Sequence, residues 1–256
     1  MHSLRRSARI AVWSLTVSAT LLSASTARAA WLPEAGAQIV RIEAQSGENR
    51  GSAEWTFGVQ DPIDGIWQWA LPATGGLTIK DGTLELAQIT DLALTIDTDP
   101  AVSLNFSVTA NNTDTIFTIT TAVLGFPTIN NGQAFATAAI TVTDNNGNGA
   151  LLTGLQPGNK AYQARYNAGP MLVWADLVDP VSAAADASQT GSERKPSPSG
   201  RLVIPGPVSS MQTEFKFKLS AFDQASGTSR FDIIPEPATL VLLAAGGLGL
   251  LRRRTR

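Results

Sequence analysis

Apolar and polar residues alternate with a period of two along most of the central chain, and this alternation decides the fold class. It runs through AQIVRIEAQ (37–45), AEWTFGV (53–59), IWQWA (66–70), GLTIK (76–80), TLELAQI (83–89), LALTID (92–97), VSLNFSVTA (102–110), TIFTITTAV (115–123), AFATAAITVT (134–143), AYQARY (161–166), MLVWADL (171–177) and TEFKFKLSAF (213–222). Residues two apart on an extended chain share a face, so each segment reads as a strand with one side inward. In EFKFKL, for example, Phe215, Phe217 and Leu219 point one way, while Glu214, Lys216 and Lys218 form a wet face that contributes solubility. Turn formers separate the segments: Asp81-Gly82, Asn111-Asn112, Asn130-Asn131-Gly132 and the run from Asn145 to Gly149. No segment sustains a helical period, and the gaps fall short of the roughly 30 residues of a strand–helix–strand crossover unit. The expectation is an all-β chain, an antiparallel, jelly-roll-like β-sandwich over about residues 36 to 234.

The stretch DPVSAAADASQTGSERKPSPSG (179–200) is rich in Ser, Ala, Gly and Pro and poor in large apolar residues, so it reads as a flexible surface loop within one body, 30–234. The N-terminus differs in kind. Arginines 5, 6 and 9 precede an apolar stretch from Ile10 to Leu22, and TARAA (26–30) follows, with Ala27 and Ala29 as the small pair that signal peptidase reads. Residues 1–29 are therefore a secretory signal peptide.

Composition then removes whole classes of chemistry. The chain has no cysteine, and its single histidine is His2, inside the signal peptide. Histidine-based serine or cysteine hydrolases, His/Cys zinc sites, histidine-ligated haem and thiol redox chemistry are excluded in their usual forms. Stability must come from packing alone. Between residues 30 and 234 there are 11 Lys and Arg against 20 Asp and Glu, a net of −9. An exported body this acidic repels phosphate backbones, so nucleic acid is not an expected partner.

Three constellations remain. Trp55, Trp67 and Trp69, with Phe57 beside them, alternate on two neighbouring segments. Such rings either fill one end of the core or stack on sugars of a polysaccharide, and two exposed, coplanar rings would distinguish the second reading from the first. DNNGNG (144–149) places Asp144, Asn146 and Asn148 at the first three ligand positions of a calcium loop, but Leu155 stands where that loop needs its bidentate glutamate; a plain Asn-Gly turn is the alternative. Acidic residues Glu54, Glu85, Asp91, Asp97, Asp99 and Glu214 lie on or beside strands, which leaves a carboxylate-based carbohydrate-active enzyme as a further reading, with no pair assigned. No cofactor is expected.

The chain ends IIPEPATLVLLAAGGLGLLRRRTR (233–256). Pro235, Glu236 and Pro237 precede an apolar run, 238–251, which as a helix would be only about 21 Å long, shorter than a bilayer core. Arg252, Arg253 and Arg254 then hold that end on the cytoplasmic side as a stop-transfer cluster. The order of triplet, Ala-Thr-Leu, Gly-interrupted leucine run and terminal arginines closely resembles the PEP-CTERM sorting signal. That resemblance implies that residues 235–256 are a sorting signal with a short transmembrane segment at 238–251, that an exosortase recognises Pro235 to Pro237, and that the host is a Gram-negative bacterium making extracellular polysaccharide. It further implies an inner-membrane precursor and a mature protein at the cell surface or outside the cell, structural and noncatalytic, in a biofilm or exopolysaccharide matrix. FKFKLSAFDQASGTSRFDIIPEP resembles the last hairpin of such proteins, which implies that residues 230–234 pair with 214–222.

Overall fold

The computed structural model describes residues 33–235 apart from 59–61, 73–75 and 168. The expected signal peptide with Ala27 and Ala29, the tail from Glu236 onward and the expected segment 238–251 lie outside the described residues. The expectation of a transmembrane helix is corrected on this point: among the described residues no helix is long and apolar enough to cross a membrane.

Strands follow one another as the alternation predicts. They are β1 (Gln38–Ser46), β2 (Asn49–Thr56), β3 (Ile66–Ala70), β4 (Leu77–Asp81), β5 (Leu84–Asp97), β6 (Ala101–Ala110), β7 (Thr115–Thr121), β8 (Leu124–Ile129) and β9 (Gln133–Thr143). Then come β10 (Ala150–Gly154), β11 (Tyr162–Tyr166), β12 (Leu172–Leu177), β13 (Val181–Ala183), β14 (Ser188–Lys195), β15 (Leu202–Val203), β16 (Val208–Leu219) and β17 (Gln224–Ile234). The first sheet runs β12-β11-β16-β7-β1-β2, with β8, β10 and β13 attached to it; the second runs β14-β9-β17-β6-β5-β3, with β4 and β15 attached. Paired strands are antiparallel in both, so the two-layer, jelly-roll-like sandwich read from the sequence is the fold.

The inward positions of the alternation make the core. Ile42, Ile119, Phe215 and Tyr162 sit opposite one another across four strands of the first sheet, all fully buried. Phe106, Gly227 and Ile140 do the same in the second. Phe106 reaches across the gap to Phe215, ring centroids 4.9 Å apart and edge-on, and to Phe217 at 6.0 Å. The two layers thus meet through aromatic rings in the offset geometries that such pairs prefer.

Two expectations change. Segment 179–200 carries β13 and β14 rather than a loop, and β14 forms an edge of the second sheet, in register with β9 from Ser188 opposite Thr143 to Lys195 opposite Ala136. An edge strand needs a backbone ladder and little burial, and hydroxyl pairs Thr141–Thr190 (2.7 Å) and Thr143–Ser188 (2.8 Å) add side-chain bonds along it. The expected final hairpin is also absent. β17 pairs with β6 and β9 in the second sheet, whereas β16 belongs to the first, so the connection at 220–223 is a corner that carries the chain across the sandwich.

Candidate functional site

The tryptophans lie where two edge strands face each other. β2 ends one sheet and β3 ends the other, and Trp55, Phe57, Trp67 and Trp69 fill the open side between them. Trp67 is 2% exposed and packs on Phe57 at 4.8 Å; Trp55 and Trp69 are half-buried, 5.8 Å apart and tilted by 52°. These rings close the side of the core and present no coplanar pair. The opposite open side, between β12 and β14, is closed the same way by buried Trp174, with the Lys195 ammonium 4.6 Å from its ring centre.

Asp144, Asn146 and Asn148 sit in the β9–β10 corner. One Asp144 oxygen accepts from the Asn146 N–H (3.3 Å) and the other from the Asp186 N–H (2.6 Å); the Asn146 side chain accepts from the Asn148 N–H (3.1 Å) and donates to the Ala221 carbonyl (2.9 Å). Burial pushes the Asp144 carboxyl up, but backbone N–H groups of Asp186, Asn146, Gly149 and Asn148 outweigh it and hold the group below its usual value. Asp144 and Asn146 thus fasten turns to one another. Among the described residues no group of three or more His, Cys, Asp or Glu side chains is arranged to hold a metal ion.

The same end of the sandwich holds a feature the sequence does not announce. The corners at 111–114, 144–149, 184–187 and 220–223 are knitted together, and Asp223 lies at their centre, fully buried. Asp223 accepts from the Asn145 N–H (3.3 Å) and from the Ser220 hydroxyl. Burial chiefly, together with the neighbouring Asp144 charge, raises its carboxyl above the usual value.

The outer face of the first sheet collects the remaining polar chemistry. Asp176, Gln163, Glu214, Thr120, Arg41 and Glu54 stand opposite one another in a single row across six strands. Arg165 grips both oxygens of Glu214 (2.9 and 2.6 Å), its Nε donates to Gln163 (2.7 Å), Gln163 donates to Asp176 (2.7 Å), and Gln156 donates to Glu214 (2.7 Å). Arg41 bridges Glu43 (2.6 Å) and Glu54 (3.1 Å). Two open grooves of about 640 and 560 Å³ lie over this face; Arg50, Lys216 and Leu155 rim the first, Gln212 and Glu214 the second. Three strand spacings separate Glu54 from Glu214, about 14 Å, which is beyond the separation glycoside hydrolysis requires. Of the other acids, Glu85 is paired with Lys80 (2.7 Å) and Asp97 accepts from the Asp99 N–H (3.0 Å), while Asp91 is exposed opposite Ser107.

At the C-terminal end of this β-sandwich, residues 234–255 match the PEP-CTERM protein-sorting motif. The chain therefore carries the tag of exosortase substrates, and the motif implies export by that route and an interaction with the exosortase. No curated protein matches the chain. Among solved structures it is similar to TmCBM61 in complex with beta-1,4-galactotriose, at 8% identity over 80% of this chain and 98% of that one, with a TM-score of 0.27. It is also similar to a CBM4 structure (14% identity, 67% and 86% covered, TM-score 0.20) and to one of infectious bursal disease virus (10%, 82% and 69%, TM-score 0.16). Likeness at these scores does not carry a ligand or an activity from those proteins to this chain.

Proposed function

We propose that this chain is a noncatalytic envelope or matrix protein that loses residues 1–29 to signal peptidase, is cut by an exosortase at Pro235 to Pro237, and works at the cell surface or outside the cell. The observation that carries this reading is the junction between body and tail. β17 pairs through Ile234, and the matched motif begins at that same residue. Cleavage just beyond it leaves the described strands and their core intact. Arg252 to Arg254 then serve only the precursor. Mass spectrometry of the secreted or surface form tests the reading: the mature chain should start at about Ala30 and stop near Pro235, and recovery of a peptide containing Leu248 to Arg252 would reject it. Replacing Pro235, Glu236 and Pro237 together with alanine should leave the body folded while uncleaved precursor accumulates.

A second reading, a polysaccharide-binding module, is favoured by the hollow outer face of the first sheet. Its grooves offer amides, hydroxyls and the cationic Arg50 and Lys216, groups suited to a polyhydroxylated chain. Retardation of the mature protein in gels containing the producing strain's exopolysaccharide supports it, and unretarded migration counts against it.

A further inference from the structure

Phe222 occupies the corner between β16 and β17 with φ +65°, in the left-handed region that a bulky side chain rarely enters. It is 49% exposed, and it is the only exposed aromatic residue among the described residues. Val178 shares the backbone anomaly at φ +70°, but its side chain is fully buried, so packing offsets the strain there. Phe222 gains no comparable burial. Glycine or asparagine would meet the same backbone geometry with less strain, so the turn itself does not call for a phenyl ring.

The surrounding bonds hold the turn fixed in spite of the strain. The Phe222 N–H donates to the Asn111 carbonyl (2.8 Å), and the Ala221 N–H to Asp114 (3.3 Å), while the Ala221 carbonyl accepts from Asn146 (2.9 Å). Ser220 exchanges bonds with the Leu151 backbone through its N–H (3.0 Å) and its hydroxyl (2.8 Å), and the Asp223 carbonyl accepts from Ala110 (3.0 Å). Strain of this kind persists only where neighbouring structure over-determines it, and where packing does not account for it such positions cluster at ligand-binding sites.

Phe222 lines a groove of about 230 Å³ with Thr78, Gln88, Thr109 and Asn111. Glu85, the one charged side chain lining it, is neutralised by Lys80 at 2.7 Å. A ring face flanked by hydroxyls and amides, without an unpaired charge, matches a pyranose: its C–H face packs on the ring and its equatorial hydroxyls meet the rim. The volume falls below that of ordinary ligand pockets, so one ring is held at a time. The acidic body opposes the alternative of a stacked nucleic-acid base.

We propose that Phe222 is a stacking platform for one neutral sugar residue of a glycan, with Gln88, Thr109 and Asn111 as its hydrogen-bonding rim. The proposal rests on the polysaccharide-binding reading and deepens it. The test is affinity electrophoresis of the mature chain in gels of galactan, mixed-linkage β-glucan and dextran, with alginate as the anionic control, alongside thermal melts. At least one neutral glycan should retard the wild type more than alginate does. Phe222→Gly and Phe222→Ala should each weaken that binding by about tenfold or more, and Phe222→Trp should keep it. Phe222→Gly should at the same time raise Tm by about 1–4 °C, because the turn loses its strain. Unchanged glycan binding by Phe222→Gly overturns the site and leaves the grooves of the first sheet as the ligand's place. Absence of retardation of the wild type overturns both the site and the polysaccharide-binding reading, while exosortase processing stands. A fall in Tm on Phe222→Gly, or a wild-type dimer that this variant abolishes in sedimentation, shows that the ring serves packing or self-association and overturns the proposal.

Discussion

Replacing Gly227 by alanine tests how tightly the two sheets are locked. Gly227 faces inward on β17, opposite Phe106 on β6, and an added Cβ would lie 2.3 Å from two carbons of the Phe106 ring and 3.2 Å from a third. Comfortable carbon contacts begin near 3.5 Å, so the ring or the strand must move by about 1 Å. The ring has little room, being 2% exposed and packed against Phe215 and Phe217 of the facing sheet. Overpacking of this kind costs about 1–3 kcal/mol, and the boxed ring argues for the upper end. Alanine recovers about 0.5–1 kcal/mol over glycine in an extended strand, which leaves a net loss of about 2 kcal/mol. For a domain of this size that is a fall in Tm of about 4–8 °C, measured by circular dichroism on the mature body. Phe106→Leu should relieve the clash, so in a double-mutant cycle the pair should be less destabilised than the sum of the single variants by about 1 kcal/mol or more. A Gly227→Ala melt within 1 °C of wild type, or strict additivity with Phe106→Leu, refutes the packing argument.

Two further perturbations probe the polar groups. Arg165→Met strands Glu214, 13% exposed, without its guanidinium and should destabilise the body by about 2–4 kcal/mol in urea titrations, whereas Arg165→Met combined with Glu214→Leu should recover more than half of that; a double variant as unstable as Arg165→Met or worse would show that a stranded Glu214 charge is not the source of the loss. Asp223 and Asp144 should respond to pH in opposite senses. The raised Asp223 value means that its contribution is full below the ordinary aspartate value of 3.8 and is lost as pH rises through the folded value; the lowered Asp144 value means a contribution that is lost as pH falls. Asp223→Asn should therefore flatten the decline of Tm with rising pH, and Asp144→Asn the decline on the acid side; effects of the reverse sign would contradict the described surroundings of both groups.

The strands were legible because burial repeats with period two. β9, with its strict alternation of half-buried and buried positions, runs one residue beyond the segment read from sequence. β5 reads as two strands in the sequence because the alternation breaks near Thr90; the register shift between Ile89 and Asp91 inserts a residue and reverses the faces within one continuous strand. β14, an edge strand of Ser, Thr, Glu and Arg, leaves no apolar trace in the sequence, its hold being the backbone ladder to β9. The Trp cluster was visible as composition, but its place between two edge strands depends on which strands end each sheet, a non-local fact. The 220–223 corner was invisible for a local reason: SAFDQ contains no glycine, and nothing in it marks Phe222 as left-handed. The tail is a linear motif, so for it the sequence suffices.

β17 is the last of the described strands and also an interior strand of its sheet, with eleven residues in register with β9 and nine with β6. Tension applied to the backbone beyond Ile234 is directed along the axis of that strand, perpendicular to the ladder bonds on both sides. The two ladders then resist in shear, with many bonds loaded at once rather than peeled in turn, so the end that bears the sorting motif is also a mechanically well-secured grip on the folded body.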